Sequence, residues 1–133
     1  MTVRSGSTRI RVRYPEVDRM GVAHHTHHLA WFEIGRTELM RDAGLTYASV
    51  EADGIHLPVI EANCRYLAPV RYDDCLTVHT GLEPMRGARV RFSYRIEREE
   101  DGVVVATGST THAATDRGGR PRRLPHCLRQ LRS

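Results

Sequence analysis

Apolar and polar residues alternate with a period of two along most of the chain, and the period lengthens to that of a helix once. Residues 8–14 read Thr-Arg-Ile-Arg-Val-Arg-Tyr, with Ile10, Val12 and Tyr14 on one face and the arginines on the other. That pattern predicts a strand, ended by Pro15 and the polar run to Gly21. Leu29, Phe32, Gly35, Leu39 and Ala43 then recur at helical spacing, with Thr26 as N-cap and Gly44 as the residue just past the end. Gly35 inside this helix costs about 1 kcal/mol against Ala, so its place implies close packing of the helix on a sheet. A short helical turn is expected from Tyr47 to Ala52. Strict alternation returns at Ile60–Ala68, Leu76–Leu82 and Ala88–Ile96. Asp101-Gly102 is a hairpin signal, followed by a strand from about Val103 to Ala114. Gly118-Gly119 opens a basic tail, with a short helix expected over Leu124–Leu131.

The order is strand, long helix, then four strands. This is an α+β architecture in which one helix covers the single apolar face of an antiparallel sheet of about five strands. The sheet edges are partly apolar, and pairing two such edges predicts a symmetric dimer, or a tetramer built from it. At 133 residues one domain is expected over 1–133, with the tail from about 117 peripheral. Hydrophobic residues at 40% and charged residues at 27% exclude a disordered chain. Apolar runs such as Val103–Ala106 are too short to insert in a membrane. The N-terminal MTVRSGSTRIRVRY has no apolar signal core, so a cytoplasmic protein is expected.

Charge and cysteine change the picture little. All 20 basic side chains are Arg and the formal charge is +4. The arginines are scattered and often alternate, as on the wet side of a sheet, so nucleic acid is not an expected partner. Cys64, Cys75 and Cys127 are odd in number and have no CxxC spacing, which argues against a disulfide framework or a zinc ribbon. Cys64 reads as a small buried apolar residue.

Unusual composition concentrates between the first strand and the helix: Tyr-Pro-Glu-Val-Asp-Arg-Met-Gly-Val-Ala-His-His-Thr-His-His-Leu-Ala-Trp from Tyr14 to Trp31. It holds His24, His25, His27 and His28, four of the 8 histidines, and the only Trp. His24 and His28 have the spacing of a helical metal pair, but His25 stands where a metalloprotease motif has Glu, so no metal is expected. The histidines can instead cap and solvate the helix start. A third reading is a catalytic loop that holds Asp18 against the free N–H groups of the helix end. Asp18 pairing with Arg19 or Arg36, or capping a turn, stands beside it.

The run Asp18-x-x-Gly21-Val22, followed by Trp31-Phe32-Glu33-x-x-Arg36-Thr37-Glu38, resembles the hot-dog-fold acyl-CoA thioesterases. It is most similar to the 4-hydroxybenzoyl-CoA thioesterase and Tol–Pal-associated branches. The block Tyr66-Leu67-Ala68-Pro69-Val70-Arg71-Tyr72-Asp73-Asp74 is similar to that family too, and the likeness spans roughly residues 8–116. The resemblance implies a helix wrapped by a curved antiparallel sheet and hydrolysis of an acyl-CoA or acyl-carrier-protein thioester without a cofactor. It implies that Asp18 is the catalytic carboxylate, Gly21 the glycine of the loop, and His25 the residue whose backbone N–H polarises the carbonyl. The extra histidines at 24, 27 and 28 depart from the pattern. Val22, Tyr14 and Trp31 are further substrate-side positions, the last two also readable as packing residues. Val59 and Asn63 are placed along an acyl pocket at a dimer interface, and Arg65 against the CoA phosphates.

A thioester suits such a loop. Its leaving thiol is acidic, with a pKa of about 8.5 by analogy with Cys. What remains is activation of the attacker and stabilisation of the oxyanion. A hydratase is disfavoured, because Ala23 rather than His stands five residues after Asp18 and no Asn-Pro follows. A non-catalytic acyl-thioester binder is disfavoured by the carboxylate itself.

Overall fold

A computed structural model describes residues 4–83, 85–125, 128 and 129. Eight elements follow in order: β1 (Arg4–Arg11), a 3₁₀ turn (Tyr14–Glu16), α1 (His27–Asp42), α2 (Tyr47–Ala52), β2 (Val59–Tyr66), β3 (Cys75–Glu83), β4 (Arg89–Arg98) and β5 (Val104–Ala113). The strands form one sheet in the order β1-β3-β4-β5-β2, antiparallel at every pairing. β1 and β2 are its edges.

Register sorts the two faces. Val78 opposes Ile96, Leu82 opposes Phe92, and Phe92 opposes Thr110, so these side chains share the face turned to α1. The helix lies across β1, β3 and β4. Gly35 has the role its position implied: a Cβ there would collide with Thr80 Oγ1 and come within 2.7 Å of Val78 Cγ1. Gly108 is constrained likewise, since a Cβ would lie 2.6 Å from Phe32 Cε2. Phe32 in turn stacks on Tyr94 with ring centroids 4.3 Å apart. The opposite face carries His79, Arg91, Ser93, Arg95, Thr107 and Ser109 in matching rows.

Four expectations are corrected. β1 begins and ends earlier than residues 8–14, because Pro15 turns the chain at Tyr14 and leaves that ring exposed. The buried face of α1 is His28, Trp31, Phe32, Gly35, Arg36, Leu39 and Met40, whereas Leu29 is exposed. Thr26 occupies the N-cap with helical dihedrals (φ −64, ψ −23) and its side chain makes no cap bond. The chain beyond 117 is not merely peripheral: Arg122 N–H bonds Ala114 O at 2.8 Å, and Leu124 and Leu128 are buried in the core. The rest of the expected terminal helix, and Cys127, lie outside the described residues; Cys64 and Cys75 are free thiols.

β2 behaves unlike β3 and β4. Its sequence alternates, yet Val59 is 49% exposed, Ile60 50% and Tyr66 47%. On one side it pairs with β5; its other edge is open.

Candidate active site

The segment between β1 and α1 is held mostly by main-chain bonds. Val17 bridges Ala23, and Val22 bridges Arg71. Ala23 N–H bonds Val70 O at 2.7 Å, and Tyr72 N–H bonds Gly21 O at 3.1 Å. Gly21 sits at φ 76, a conformation that L side chains rarely adopt. That residue reverses the chain so that Asp18 N–H reaches Val22 O at 2.9 Å.

Asp18 is the pivot of this reversal. Its Oδ1 accepts from Met20 N–H at 2.8 Å and Val22 N–H at 3.2 Å. Those bonds orient the carboxylate and occupy one oxygen, leaving Oδ2 without a partner among the described residues. Just beyond, His27 N–H and His28 N–H turn back on His24 O and His25 O. The His25 N–H has no acceptor among the described residues, and so offers an open donor at the helix start.

His25 stands over a cleft of about 320 Å³ lined by His28, Tyr66, Leu67, Ala68, Pro69 and Val70, with Ala23 at its base. The Tyr66 hydroxyl donates to His25 O at 3.1 Å, which anchors the loop to the end of β2. His28 is buried between Trp31 and Tyr66, with ring centroids 4.7 and 4.8 Å away. Burial pushes its pKa below the usual histidine value against the pull of hydrogen bonding to His25 and His24 backbone, so it is held neutral.

The remaining positions named from the sequence fall in three places. Val22 is in the loop beside Asp18. Trp31 is 1% exposed, with its indole N–H on Glu16 Oε2 at 2.9 Å, and so belongs to the wall behind the loop. Tyr14 is exposed and meets Tyr72 edge to face at 5.8 Å. Val59 lies at the far end of β2, beside a larger cavity that also touches α1 and α2. Asn63 and Arg65 project from the sheet face away from α1, where Asn63 Nδ2 reaches Ser109 Oγ. Asp18, Gly21, Val22 and His25 thus share the segment between β1 and α1, with His25 alone of the four on the cleft wall, whereas Val59, Asn63 and Arg65 lie on β2.

Glu16 was not singled out from the sequence, yet it braces the loop. It is buried, accepting from Arg13 N–H at 2.7 Å as well as from Trp31. Burial raises its pKa, but the hydrogen bonds from Arg13 and Trp31 and the Arg13 charge outweigh this, so the net shift is downward. Arg13 is not the Ser or Thr of a capping box, so the spacing to Glu16 carries no such signal in the sequence. Among the described residues no three or more His, Cys, Asp or Glu are grouped to hold a metal ion. No described helix is long and apolar enough to cross a membrane.

A family model described as the thioesterase-like superfamily matches residues 12–130. The chain belongs to the thioesterase-like superfamily. Its architecture is the hot-dog fold expected from the resemblance, and its class is that of the acyl-CoA thioester hydrolases. Among its relatives is YneP of Bacillus subtilis, provisionally named an acyl-CoA thioesterase, 34% identical over 81% of this chain and 78% of that protein. The acyl-CoA thioester hydrolase YbgC of Escherichia coli is 29% identical over 90% of this chain and 89% of its own length. The crystal structure of a DHNA-CoA thioesterase from Staphylococcus aureus superposes with a TM-score of 0.85 at 32% identity, covering 90% of this thioesterase and 80% of that chain.

Proposed function

We propose that this thioesterase hydrolyses an acyl-CoA or acyl-carrier-protein thioester with Asp18 as the reacting carboxylate and the His25 N–H as oxyanion donor. The observation that carries this reading is the pairing of a half-occupied carboxylate with an open amide in one rigid loop. Asp18 Oδ2 either takes a proton from an attacking water or attacks the carbonyl carbon itself. Both routes put negative charge on the thioester oxygen, where the His25 N–H receives it; one such donor is worth about 3–4 kcal/mol. Collapse expels the thiolate. In the first route it takes the proton that Asp18 removed from water; in the second an Asp18 mixed anhydride remains, and a water hydrolyses it to the free acid and the Asp18 carboxylate while the released proton goes to the thiolate. The cleft beside His25 and Tyr66 receives the thioester.

The open β2 edge supports a symmetric dimer. An antiparallel partner strand would bring the partner's Val59 end to this chain's Tyr66 end, which joins each catalytic loop to the partner's larger cavity and places Val59 and Asn63 at the shared seam. Arg65, on the outer face, is then free to meet the CoA phosphates. A chain of this length working in the cytoplasm needs no cofactor for this chemistry.

Thiol release from short, long and aromatic acyl-CoAs tests the reading. Wild type is expected to turn over at least one substrate, and Asp18→Asn to lose about a hundredfold or more in kcat with an unchanged circular dichroism spectrum. Light scattering of the same samples is expected to give twice or four times the chain mass. Equal rates in wild type and Asp18→Asn would remove Asp18 from the chemistry.

A further inference from the structure

Two imidazoles are buried among the described residues, those of His28 and His112, and their nitrogens are satisfied differently. His112 is closed. Leu57 O can only accept, so His112 Nδ1, 3.0 Å away, carries the proton, and Nε2 of the neutral ring accepts from Thr110 Oγ1 at 2.9 Å. Thr110 then accepts from the Tyr94 hydroxyl at 2.6 Å, and Tyr94 from Arg36 Nη1 at 3.2 Å. Arg36 Nε donates to the Tyr47 hydroxyl at 2.6 Å. Both nitrogens of His112 are spent inside the protein.

His28 is half open. It is 4% exposed. Its Nδ1 lies 3.2 Å from His25 O, again a carbonyl that can only accept, so the proton sits on Nδ1. The neutral ring then keeps a bare lone pair on Nε2, which has no partner among the described residues. A buried acceptor without a donor is costly, and a native one calls for a hydrogen supplied from elsewhere.

The surroundings of His28 say where that hydrogen comes from. The ring is wedged between Trp31 and Tyr66, and its Nδ1–H shares His25 O with the Tyr66 hydroxyl. His28 is thereby tied to the residue that bears the open amide. Both residues line the cleft of about 320 Å³, whose other side chains include the apolar Ala23, Leu67, Ala68, Pro69 and Val70. The cleft therefore combines a donor at the His25 N–H, an acceptor at His28 Nε2 and an apolar wall.

A thioester whose oxygen sits on the His25 N–H has no hydrogen to give at its carbonyl or its sulfur. The nearest N–H of the thiol half is that of an amide, joined to the sulfur by an ethylene unit. Coenzyme A and carrier-protein arms share this amide. We propose that His28 Nε2 accepts that N–H and so holds the thiol half of the substrate against the catalytic loop. The proposal rests on the thioesterase reading above. A neutral imidazole suits the task, since a protonated ring has two donors and no acceptor.

A matched pair tests it: the hexanoyl thioester of N-acetylcysteamine against that of 2-mercaptoethyl acetate, in which an ester oxygen replaces the amide N–H. Wild type is expected to favour the amide by about tenfold or more in kcat/KM, because a site built to hydrogen-bond a group rejects the analogue lacking it. His28→Phe keeps a ring without Nε2 and is expected to abolish the preference; His28→Gln, which restores an acceptor, is expected to recover part of it. A purely structural role would lower both rates and leave their ratio unchanged, which would overturn the proposal. A second readout needs no turnover. S-hexyl-CoA, a thioether that is not hydrolysed, is expected to shift the Nε2 resonance of His28 in nitrogen-15 spectra of the labelled wild type, assigned by its absence in His28→Gln. The same acyl group on CoA and on an acyl carrier protein, compared in kcat/KM, identifies which carrier supplies the arm. Equal kcat/KM for the pair in wild type, or an Nε2 resonance unmoved by saturating S-hexyl-CoA, overturns the role of His28 and leaves the thioesterase reading intact. Failure to hydrolyse any thioester, truncated or complete, overturns both.

Discussion

Two polar structures of this molecule are solved in opposite ways. The loop at the start of α1 is built from consecutive residues, is open to solvent, and satisfies its polar groups with main-chain bonds. The chain from Arg36 to His112 is assembled from α1, α2, β4 and β5, is buried, and satisfies its groups side chain to side chain. A loop held by backbone keeps its shape while leaving a carboxylate oxygen and an amide free to react. A buried side-chain relay has no spare capacity except where it opens on a cavity, as at the Tyr47 hydroxyl, whose hydrogen has no acceptor among the described residues.

Acid separates the two most strongly. Burial lowers His112 to a pKa of about 4, against the pull of its Leu57 hydrogen bond, with the Arg36 charge lowering it further. The folded chain therefore holds a neutral imidazole. Its contribution to stability is complete above the ordinary histidine value near about 6.5 and drains away as pH falls toward that lowered value, about 3 kcal/mol in all. His28, lowered by burial, acts with the same sign. Glu16 has the same linkage in a lower window: its depressed carboxylate stabilises the fold above its unfolded value of about 4.5, and that contribution is lost as pH falls below it. Urea unfolding of wild type at pH 7, 5.5 and 4.5 is expected to show a progressive loss, and His112→Gln to remove most of it. An identical acid loss in His112→Gln would mean that the relay is not the acid-sensitive part.

Breaking the brace under the loop has the next largest effect. Glu16→Gln keeps the shape but replaces an acceptor with a second set of donors facing Arg13 N–H and Trp31 N–H. A cost of about 1–3 kcal/mol is expected in the urea midpoint, together with a fall in kcat on every substrate alike. A uniform fall is what loosening the proposed catalytic loop as a whole would give. A stability change below about 0.5 kcal/mol would mean that main-chain bonds alone order the loop.

The same contrast explains what could be read from the sequence. β3 and β4 are central strands with one wet and one dry face, so their alternation was a direct record of burial. β2 alternates too, but it lies at the edge of the sheet with Val59, Ile60 and Tyr66 exposed, and pattern alone does not distinguish an edge from a centre. The buried face of α1 includes His28 and Arg36, which no apolar periodicity would place inside; following apolar residues therefore put Leu29 in the core instead. Asp18, Gly21, Val22 and His25 could be proposed from the sequence because they are neighbours in the chain and match a motif. Arg36, Tyr47, Tyr94, Thr110 and His112 become a unit only once α1, α2 and two strands have packed. Val59 joins the same cavity from β2, on an element that the sequence pattern does not tie to Asp18.

The smallest expected effect concerns the helix starts. At α2, Thr46 is a working cap: its Oγ1 accepts from Ser49 N–H at 3.1 Å, and Ser49 Oγ answers the Thr46 N–H at 3.2 Å. At α1, Thr26 Oγ1 turns instead to His24 Nδ1 at 2.8 Å and caps nothing. Thr46→Ala is therefore expected to cost about 1 kcal/mol, and Thr26→Ala a few tenths at most, measured by thermal or urea unfolding. A cap at Thr26 would draw the first turn toward its own side chain, while the uncapped start leaves the His25 amide facing the cleft. If Thr26→Ala proved as costly as Thr46→Ala, the start of α1 would be an ordinary capped terminus. The open amide would then need another explanation than catalysis.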